Sequence, residues 1–287
     1  MTNARRFRFK PHVVLTYVLL ILWSVVVYFP IYWTVITSFK LPVAIAEKVT
    51  YLPWVDFEPS LHAWRAILSR NETTVIRHFA NGTVVSLAAS AVAVLLGAMA
   101  GYGLVRFQYR FGSWRNSEIA FWFISQRIMP PVAVVLAFLI MYRVLGLLDT
   151  RLGLTIAYIS FNLPLAIWIL RDYLAEVPVE LEDAARIDGA SRLRAFWSIV
   201  LPLAAPGLVA TFILNFIFTW NEYLFALILT FQEAGTVPLL LASQVTGTGV
   251  QWWRMAVLAI LSIIPSITAA VILERYIVAG LFTGGVK

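Results

Sequence analysis

The chain has 287 residues, of which 61% are hydrophobic and 13% charged, and its formal net charge is +7. Soluble domains contain about a quarter charged residues, so this composition predicts an integral membrane protein. The chain has no cysteine and 3 histidines, which excludes disulfides and cysteine nucleophiles and argues against a zinc enzyme.

Apolar runs of about 20 residues or more predict membrane-spanning helices, so we expect an all-α membrane protein with one transmembrane domain over residues 1–287. Basic residues lie at the ends of these runs, which favours a membrane protein with both termini in the cytoplasm over a nucleic-acid partner. The predicted spans are 13–36, 78–105, 118–147, 152–170, 203–229 and 252–279.

The first apolar run follows a basic cluster of Arg5, Arg6, Arg8 and Lys10. A signal peptide has the same order of charge and hydrophobicity, but this run is too long for one. We therefore interpret it as the first span. The mixed segment 40–77 that follows predicts an external loop with short helices such as 61–68.

The third and fourth predicted spans each contain residues that disturb a helix. Pro130 and Pro131 predict a kink in the third span, and Asn162 with Pro164 predicts a break in the fourth. Gln126 and Arg127 lie within the third span, where an arginine pairs with a carboxylate or carbonyl more often than it contacts a substrate. The polar groups near Asn162 face either a cavity or a neighbouring helix, and the sequence does not choose between them.

The segment 176–202 is rich in charge and lies between two predicted spans. Pro178 and the acids after it favour a helix N-terminus, and Gly189 is placed to end that helix. Ser191 is a good N-cap for a second helix, which Pro202 would end. We predict a short helix, a glycine turn and a second amphipathic helix exposed to water. A helix resting on the bilayer surface is disfavoured because its acids would face anionic headgroups.

The spacing within this segment resembles a known motif. The matching residues are Asp183, Ala184, Ala185, Gly189, Ile199, Leu201 and Pro202. They resemble the EAA loop of the permeases of binding-protein-dependent ABC importers, in which Glu-Ala-Ala, Gly, Ile and Leu-Pro follow at fixed spacing. Asp183 replaces the consensus Glu and is shorter by a methylene. Ser38-Phe39-Lys40 after the first span resembles the maltose-type branch of that family.

The resemblance implies a type I ABC importer transmembrane domain with about six spans in a bacterial cytoplasmic (inner) membrane. It implies a second homologous permease subunit, two ATPase subunits and an extracytoplasmic solute-binding protein as partners. No P-loop pattern occurs in the chain, so we expect no cofactor here and ATP and Mg on the partner ATPase. The implied ATPase-docking residues are Glu182, Asp183, Ala184, Ala185, Gly189, Leu201 and Pro202.

The fifth predicted span contains a carboxylate, which inside a membrane is a functional hypothesis by default. Thr211, Asn215, Phe218 and Glu222 share one face at helical spacing. The run Trp220–Tyr223 resembles a Trp-Asn-Glu-Tyr signature of carbohydrate importers. The candidate substrate path is Asn215, Phe218, Asn221, Glu222, Gln126 and Asn162. The alternative for Glu222 is a structural cap or an ion pair, for example with Arg127.

Two other functions compete with a sugar permease. A membrane-embedded enzyme would need clustered acids or histidines at one membrane face, which the sequence shows only in segment 176–202. A permease of a related branch would carry a polyol, a phosphate ester or another anionic solute, and Arg127 or Arg143 in the cavity would favour it. The C-terminal stretch 276–287 resembles a family ending that reaches the ATPase, or it is a frayed end.

Overall fold

The long apolar stretches form helices in the computed structural model, which describes residues 11–47, 49–70, 72–247 and 249–284. The helices in chain order are α1 (Pro11–Thr37), α2 (Pro42–Glu47), α3 (His62–Arg65), α4 (Glu72–Arg106), α5 (Asn116–Ser125), α6 (Pro131–Leu145), α7 (Arg151–Ala175), α8 (Val179–Ile187), α9 (Arg192–Ala195), α10 (Leu201–Leu203), α11 (Ala205–Trp220), α12 (Leu224–Leu229), α13 (Val237–Ala242) and α14 (Trp252–Gly284). The basic cluster Arg5–Lys10 and the last three residues of the C-terminal stretch lie outside the described residues.

Short irregular turns extend several helices. A π-helical turn, Ala66–Arg70, follows α3, and a second, Phe196–Val200, joins α9 to α10. A 3₁₀ turn, Gln126–Ile128, follows α5. The strands β1 (Val245–Thr246) and β2 (Gly249–Val250) pair antiparallel as a short hairpin.

Length and hydropathy qualify 4 of the described helices as possible membrane spans: α1, α4, α7 and the first part of α14. Two bent pairs bring the number to 6 if each pair crosses once. The first pair joins Asn116–Ile128 to α6 at 86°, and the second joins Arg192–Leu203 to α11 at 76°. Each of the six predicted spans overlaps one of these helices or pairs.

The prolines act differently from one another. The chain bends sharply before Pro131, as the Pro130–Pro131 pair predicts. The break predicted at Asn162–Pro164 was wrong, because α7 continues through Pro164 to Ala175. A proline is tolerated inside a membrane helix when neighbouring groups satisfy the backbone carbonyl that it leaves without an N–H donor. The approach of α4 to α7 is close here: a Cβ on Gly97 would lie 2.8 Å from the Cβ of Ala166.

The fifth predicted span, 203–229, is not one helix. α11 ends at Trp220, and after a three-residue interval the short helix α12 begins at Leu224. Before α11 the chain turns by 76° at Ala204. The apolar character of the whole stretch hid this interruption, because hydropathy does not report which backbone groups are capped by a side chain.

The chain divides into two compact units, Met1–Glu72 with Gln244–Leu261 and Thr73–Ser243 with Ser262–Lys287. In the first unit, α1 has none of its most apolar window buried, as expected of a helix that faces lipid. In the second unit, the apolar core surrounds α7. One cluster of this core joins Val85 of α4, Tyr142 of α6, Tyr158 of α7 and Phe225 of α12.

A carboxylate fixes one loop of the second unit. Asp149, between α6 and α7, accepts hydrogen bonds from the backbone N–H groups of Phe231, Gln232, Glu233 and Ala234 at 3.0–3.1 Å. Burial raises the pKa of Asp149, but these N–H donors outweigh it and hold the pKa below its usual value. The chain after α12 is therefore tied to the α6–α7 turn.

Candidate coupling segment and transport path

The predicted helix–turn–helix of segment 176–202 is present. α8 begins after Pro178 with acids in its first turn, and Gly189 follows its end with φ +86°. A Cβ on Gly189 would meet no atom within 4 Å, so the requirement for glycine is conformational and not steric. Ser191 caps α9, where its hydroxyl accepts the N–H of Arg194 at 3.2 Å.

The carboxylate of Glu182 faces inward and ties α8 to α4. Its Oε1 accepts the Nε of Arg106 at 2.6 Å, and its Oε2 accepts the hydroxyl of Tyr102 at 2.7 Å. Arg106 also donates to the carbonyl oxygen of Val177 at 2.6 Å. The side chains of Arg106 and Glu182 are only 10% and 7% exposed. The side chain of Glu182 therefore holds α8 against α4, and its predicted part in ATPase docking stays a prediction.

The opposite face of α8 is open. Asp183 and Arg186 form an exposed ion pair at 3.3 Å, and Ala184 and Ile187 are exposed beside them. An exposed pair of this kind contributes little to stability, so it is free to exchange partners. Of the other expected docking residues, Ala185 and Leu201 are half-buried, while Gly189 and Pro202 are exposed.

An apolar cluster packs segment 176–202 against α7. Phe196 and Val200 in the π-helical turn are buried against Leu170 and Leu174 of α7. The ring of Tyr102 lies 4.8 Å from that of Phe196, next to the Glu182 tie. The segment is therefore in contact with the last turns of both α4 and α7.

Arg127, in the third predicted span, contacts residues of α7 and α11. The guanidinium of Arg127 donates to the carbonyl oxygen of Phe161 and to Oδ1 of Asn162, both at 3.2 Å. It also lies 5.2 Å from the ring of Phe161 and 4.9 Å from that of Phe218. Asn162 is buried and donates to the hydroxyl of Thr219 at 3.2 Å. Arg127, Asn162 and Phe218 thus form one polar and aromatic cluster.

The remaining path candidates are not part of that cluster. The carboxylate of Glu222 accepts the N–H groups of Phe225 and Ala226, so it caps α12. Asn221 donates to the carbonyl oxygen of Ile217 at 2.8 Å and to the hydroxyl of Ser266 at 3.4 Å. Gln126 is exposed and donates to the carbonyl oxygen of Trp122 in its own helix. The single face proposed for Thr211 to Glu222 therefore ends at Trp220.

Asn215 differs from all of these. It is fully buried, and within the described residues neither Nδ2 nor Oδ1 has a hydrogen-bond partner. A buried amide without partners is costly, so Asn215 stays a candidate residue of the substrate path.

The sequence reasoning missed Arg106, Tyr102 and Thr219. Arg106 is one of the basic residues at the end of an apolar run, and no sequence signal joins it to an acid 76 residues away. Tyr102 lies four residues before Arg106, on the same face of α4. That spacing is the one local hint that both side chains act on a common partner.

Residues 72–282 match the family described as "Binding-protein-dependent transport system inner membrane component". The chain is 30% identical over 271 residues to the trehalose/maltose transport system permease protein MalG of Thermococcus litoralis, covering 93% of this chain and 94% of that protein. It is 40% identical over 210 residues to the trehalose transport system permease protein SugB of Mycobacterium tuberculosis, covering 72% and 75%.

A bacterial ABC transporter involved in the import of the acidic polysaccharide alginate has a chain of similar structure. The TM-score is 0.74 at 22% identity, and the match covers 96% of this chain and 99% of that one. This likeness confirms the predicted fold class, the helical membrane domain of an ABC importer. The chain therefore belongs to the family of inner-membrane components of binding-protein-dependent transport systems, as a permease subunit of an ABC importer.

Proposed function

We propose that the chain translocates a sugar or sugar-like solute across the membrane by ATP-driven alternating access. The observation that carries this proposal is the exposed face of α8 around Asp183, held from behind by the Glu182–Arg106 tie. Such a segment moves as one body with the ends of α4 and α7, as a coupling element must. The names of the trehalose/maltose and trehalose permeases support a sugar as the solute.

The proposed assembly contains a second homologous permease, two ATPase subunits that bind ATP and Mg, and an extracytoplasmic solute-binding protein. Transport follows when closure of the ATPases moves α8 and Gly189, and the spans open the path first outward and then inward. The chain itself supplies the path and no catalysis.

Charge reversal at the exposed acid of α8 tests this role. Asp183→Lys should abolish capture of the ATPase subunits and sugar uptake, because it repels the arginine or lysine that a docking acid meets. Glu176→Lys makes the same charge change in an exposed residue outside α8 and serves as the matched control. Normal uptake by the Asp183→Lys variant would refute the docking role.

The proposed orientation places both termini and segment 176–202 in the cytoplasm of a bacterial cell. A cysteine at Gly247 should react with a membrane-impermeant thiol reagent on intact cells, and a cysteine at Ala190 should not. The chain has no native cysteine, so no other site contributes to labelling. The reverse pattern would overturn the orientation and the docking role with it.

A second candidate function has one observation in its favour. The guanidinium of Arg127 is paired with neutral oxygens, which leaves its charge available to an anionic solute such as a sugar phosphate or uronate. In reconstituted vesicles, a uronate should then compete with uptake better than a neutral disaccharide, and Arg127→Met should remove that preference. Equal competition in both proteins would leave the neutral sugar as the substrate class.

A further inference from the structure

A cavity of about 260 Å³ lies within the first unit, beside the end of α1. Its lining combines one cation, two hydroxyls and apolar side chains. The lining residues are Trp33, Thr37, Lys40, Ile45, Val49, Thr50 and Trp252.

The cation is a lysine that is almost fully buried. Lys40 is 2% exposed, and its Nζ donates to the carbonyl oxygen of Thr50 at 2.7 Å. The same Nζ lies 4.2 Å from the ring of Trp33 and 5.1 Å from that of Phe57. An ammonium has three N–H donors and no acceptor, so the carbonyl leaves donor capacity unused.

The charge of Lys40 is only partly compensated. Burial lowers the pKa of Lys40, and the negative charge of Asp56 raises it by less. Asp56 already accepts the backbone N–H groups of Tyr51 and Leu52 through Oδ2, at 2.7 and 2.9 Å. A buried ammonium held mainly by a carbonyl and aromatic rings favours an anion nearby.

Both hydroxyls of the lining lack a partner. Thr37 and Thr50 are 5% and 1% exposed, and within the described part of the chain neither Oγ1 makes a hydrogen bond. A hydroxyl buried without a partner is destabilising, and two that line the same cavity beside a buried cation indicate a missing acceptor.

We propose that this cavity binds a phosphate group, carried either by a phospholipid headgroup or by a free phosphate. Lys40 supplies the charge, and Thr37 and Thr50 donate their hydroxyl hydrogens to the phosphate oxygens. A phosphate dianion or diester offers only acceptors at these oxygens, which matches three groups that can all donate. A neutral sugar fits less well, because its own hydroxyl hydrogens need acceptors that the lysine does not provide.

The two phosphate sources make different use of the lining. The apolar side chains of Ile45, Val49 and Trp252 suit the glycerol and acyl carbons of a lipid. α1, which leads to the cavity, exposes its side chains over residues 13–32 and would bring lipid towards this point. A free phosphate would use only the three donors. The site does not depend on the proposed transport function.

The test uses the full importer complex, purified in detergent and freed of lipid. Native mass spectrometry measures binding of phosphatidylglycerol and of diacylglycerol, which lacks the phosphate. A thermal melt with and without inorganic phosphate forms the second arm. The variants are Thr37→Val and Lys40→Met, with Thr34→Val as the control, since the Thr34 hydroxyl already donates to the carbonyl oxygen of Pro30 at 2.9 Å.

Thr37→Val keeps the proposal testable even if Lys40→Met folds poorly, because it removes a hydroxyl that has no hydrogen-bond partner among the described residues. Wild type should bind phosphatidylglycerol and not diacylglycerol, and Thr37→Val should weaken that binding about tenfold, the effect of one hydrogen bond to a charged group. Binding by Thr34→Val should stay unchanged.

A second result would also support the proposal: inorganic phosphate stabilises wild type but not Thr37→Val, and lipid binding is equal in all variants. The ligand is then free phosphate and not a lipid headgroup. The proposal is overturned if Thr37→Val and Lys40→Met bind both probes as wild type does. It is also overturned if diacylglycerol binds as well as phosphatidylglycerol and inorganic phosphate stabilises wild type no more than Thr37→Val, or if Thr34→Val loses as much binding as Thr37→Val.

Discussion

Glu182 in segment 176–202 and Glu222 after α11 are both acids in largely apolar surroundings, yet their hydrogen bonds hold the chain in different ways. Glu182 bonds Tyr102 and Arg106, which are 80 and 76 residues away. Glu222 bonds N–H groups 3 and 4 residues ahead, in the first turn of α12. The first carboxylate joins two distant elements, whereas the second starts a local helix. Loss of Glu182 should therefore displace a whole segment, and loss of Glu222 should loosen one turn.

The largest effect on stability is expected from breaking the ion pair between Glu182 and Arg106. Glu182→Leu or Arg106→Met leaves a buried charge without its partner, which costs about 3–5 kcal/mol. The double variant removes both charges and should recover part of that loss. Limited proteolysis within segment 176–202 of the purified complex, together with ATPase capture, measures the displacement of α8.

If the double variant is as protease-sensitive as either single variant, the pair is not the element that positions α8. Glu180→Leu provides the control, since Glu180 is an exposed acid in the same turn and makes no side-chain hydrogen bond or ion pair with another described residue.

A smaller effect is expected at the turn that follows α8. Gly189 has φ +86°, and a side chain there costs about 1–2 kcal/mol of backbone strain. Gly189→Leu should uncouple sugar uptake from ATP hydrolysis, whereas Gly189→Asn should retain more uptake because asparagine tolerates this conformation. Equal uptake in the two variants would mean that the backbone conformation of the turn is not what matters.

The cap at Glu222 should have a local effect. Glu222→Ala removes the acceptor for two backbone N–H groups, a change that costs about 1 kcal/mol for a helix cap. The complex should still assemble, and Glu222→Gln, which keeps an acceptor oxygen, should be milder. Uptake by assembled complex separates a cap from a path residue. Failure of the complex to assemble would make the role wholly structural.

The smallest effect on stability is expected at Asn215. Asn215→Leu replaces an amide whose buried atoms have no partner in the described residues, so the melting temperature should not fall. Uptake should fall if the amide serves the solute in another state of the transport cycle. A large loss of stability would show that the amide has a partner in the assembled complex.

Much of the coupling segment was accessible from its sequence because its signals are local. Pro178, Gly189 and Ser191 each act on the backbone within one turn, so their type and spacing predict the helix, the turn and the next helix. Apolar runs likewise predict where spans lie, because the transfer of a helical segment into lipid depends mainly on its own length and side-chain composition. Family membership followed from the same short motif.

Tertiary structure decided which helices are continuous and which partners the buried charged side chains have. Pro164 keeps a continuous helix because neighbouring helices pack around it, and the fifth span breaks because Glu222 caps a new helix. The inward direction of Glu182 depends on Arg106, and the cluster of Arg127 depends on Asn162 and Phe218. Each of these choices rests on groups far apart in the chain. Sequence periodicity reports the face of an element, but only the packed fold determines which partner that face meets.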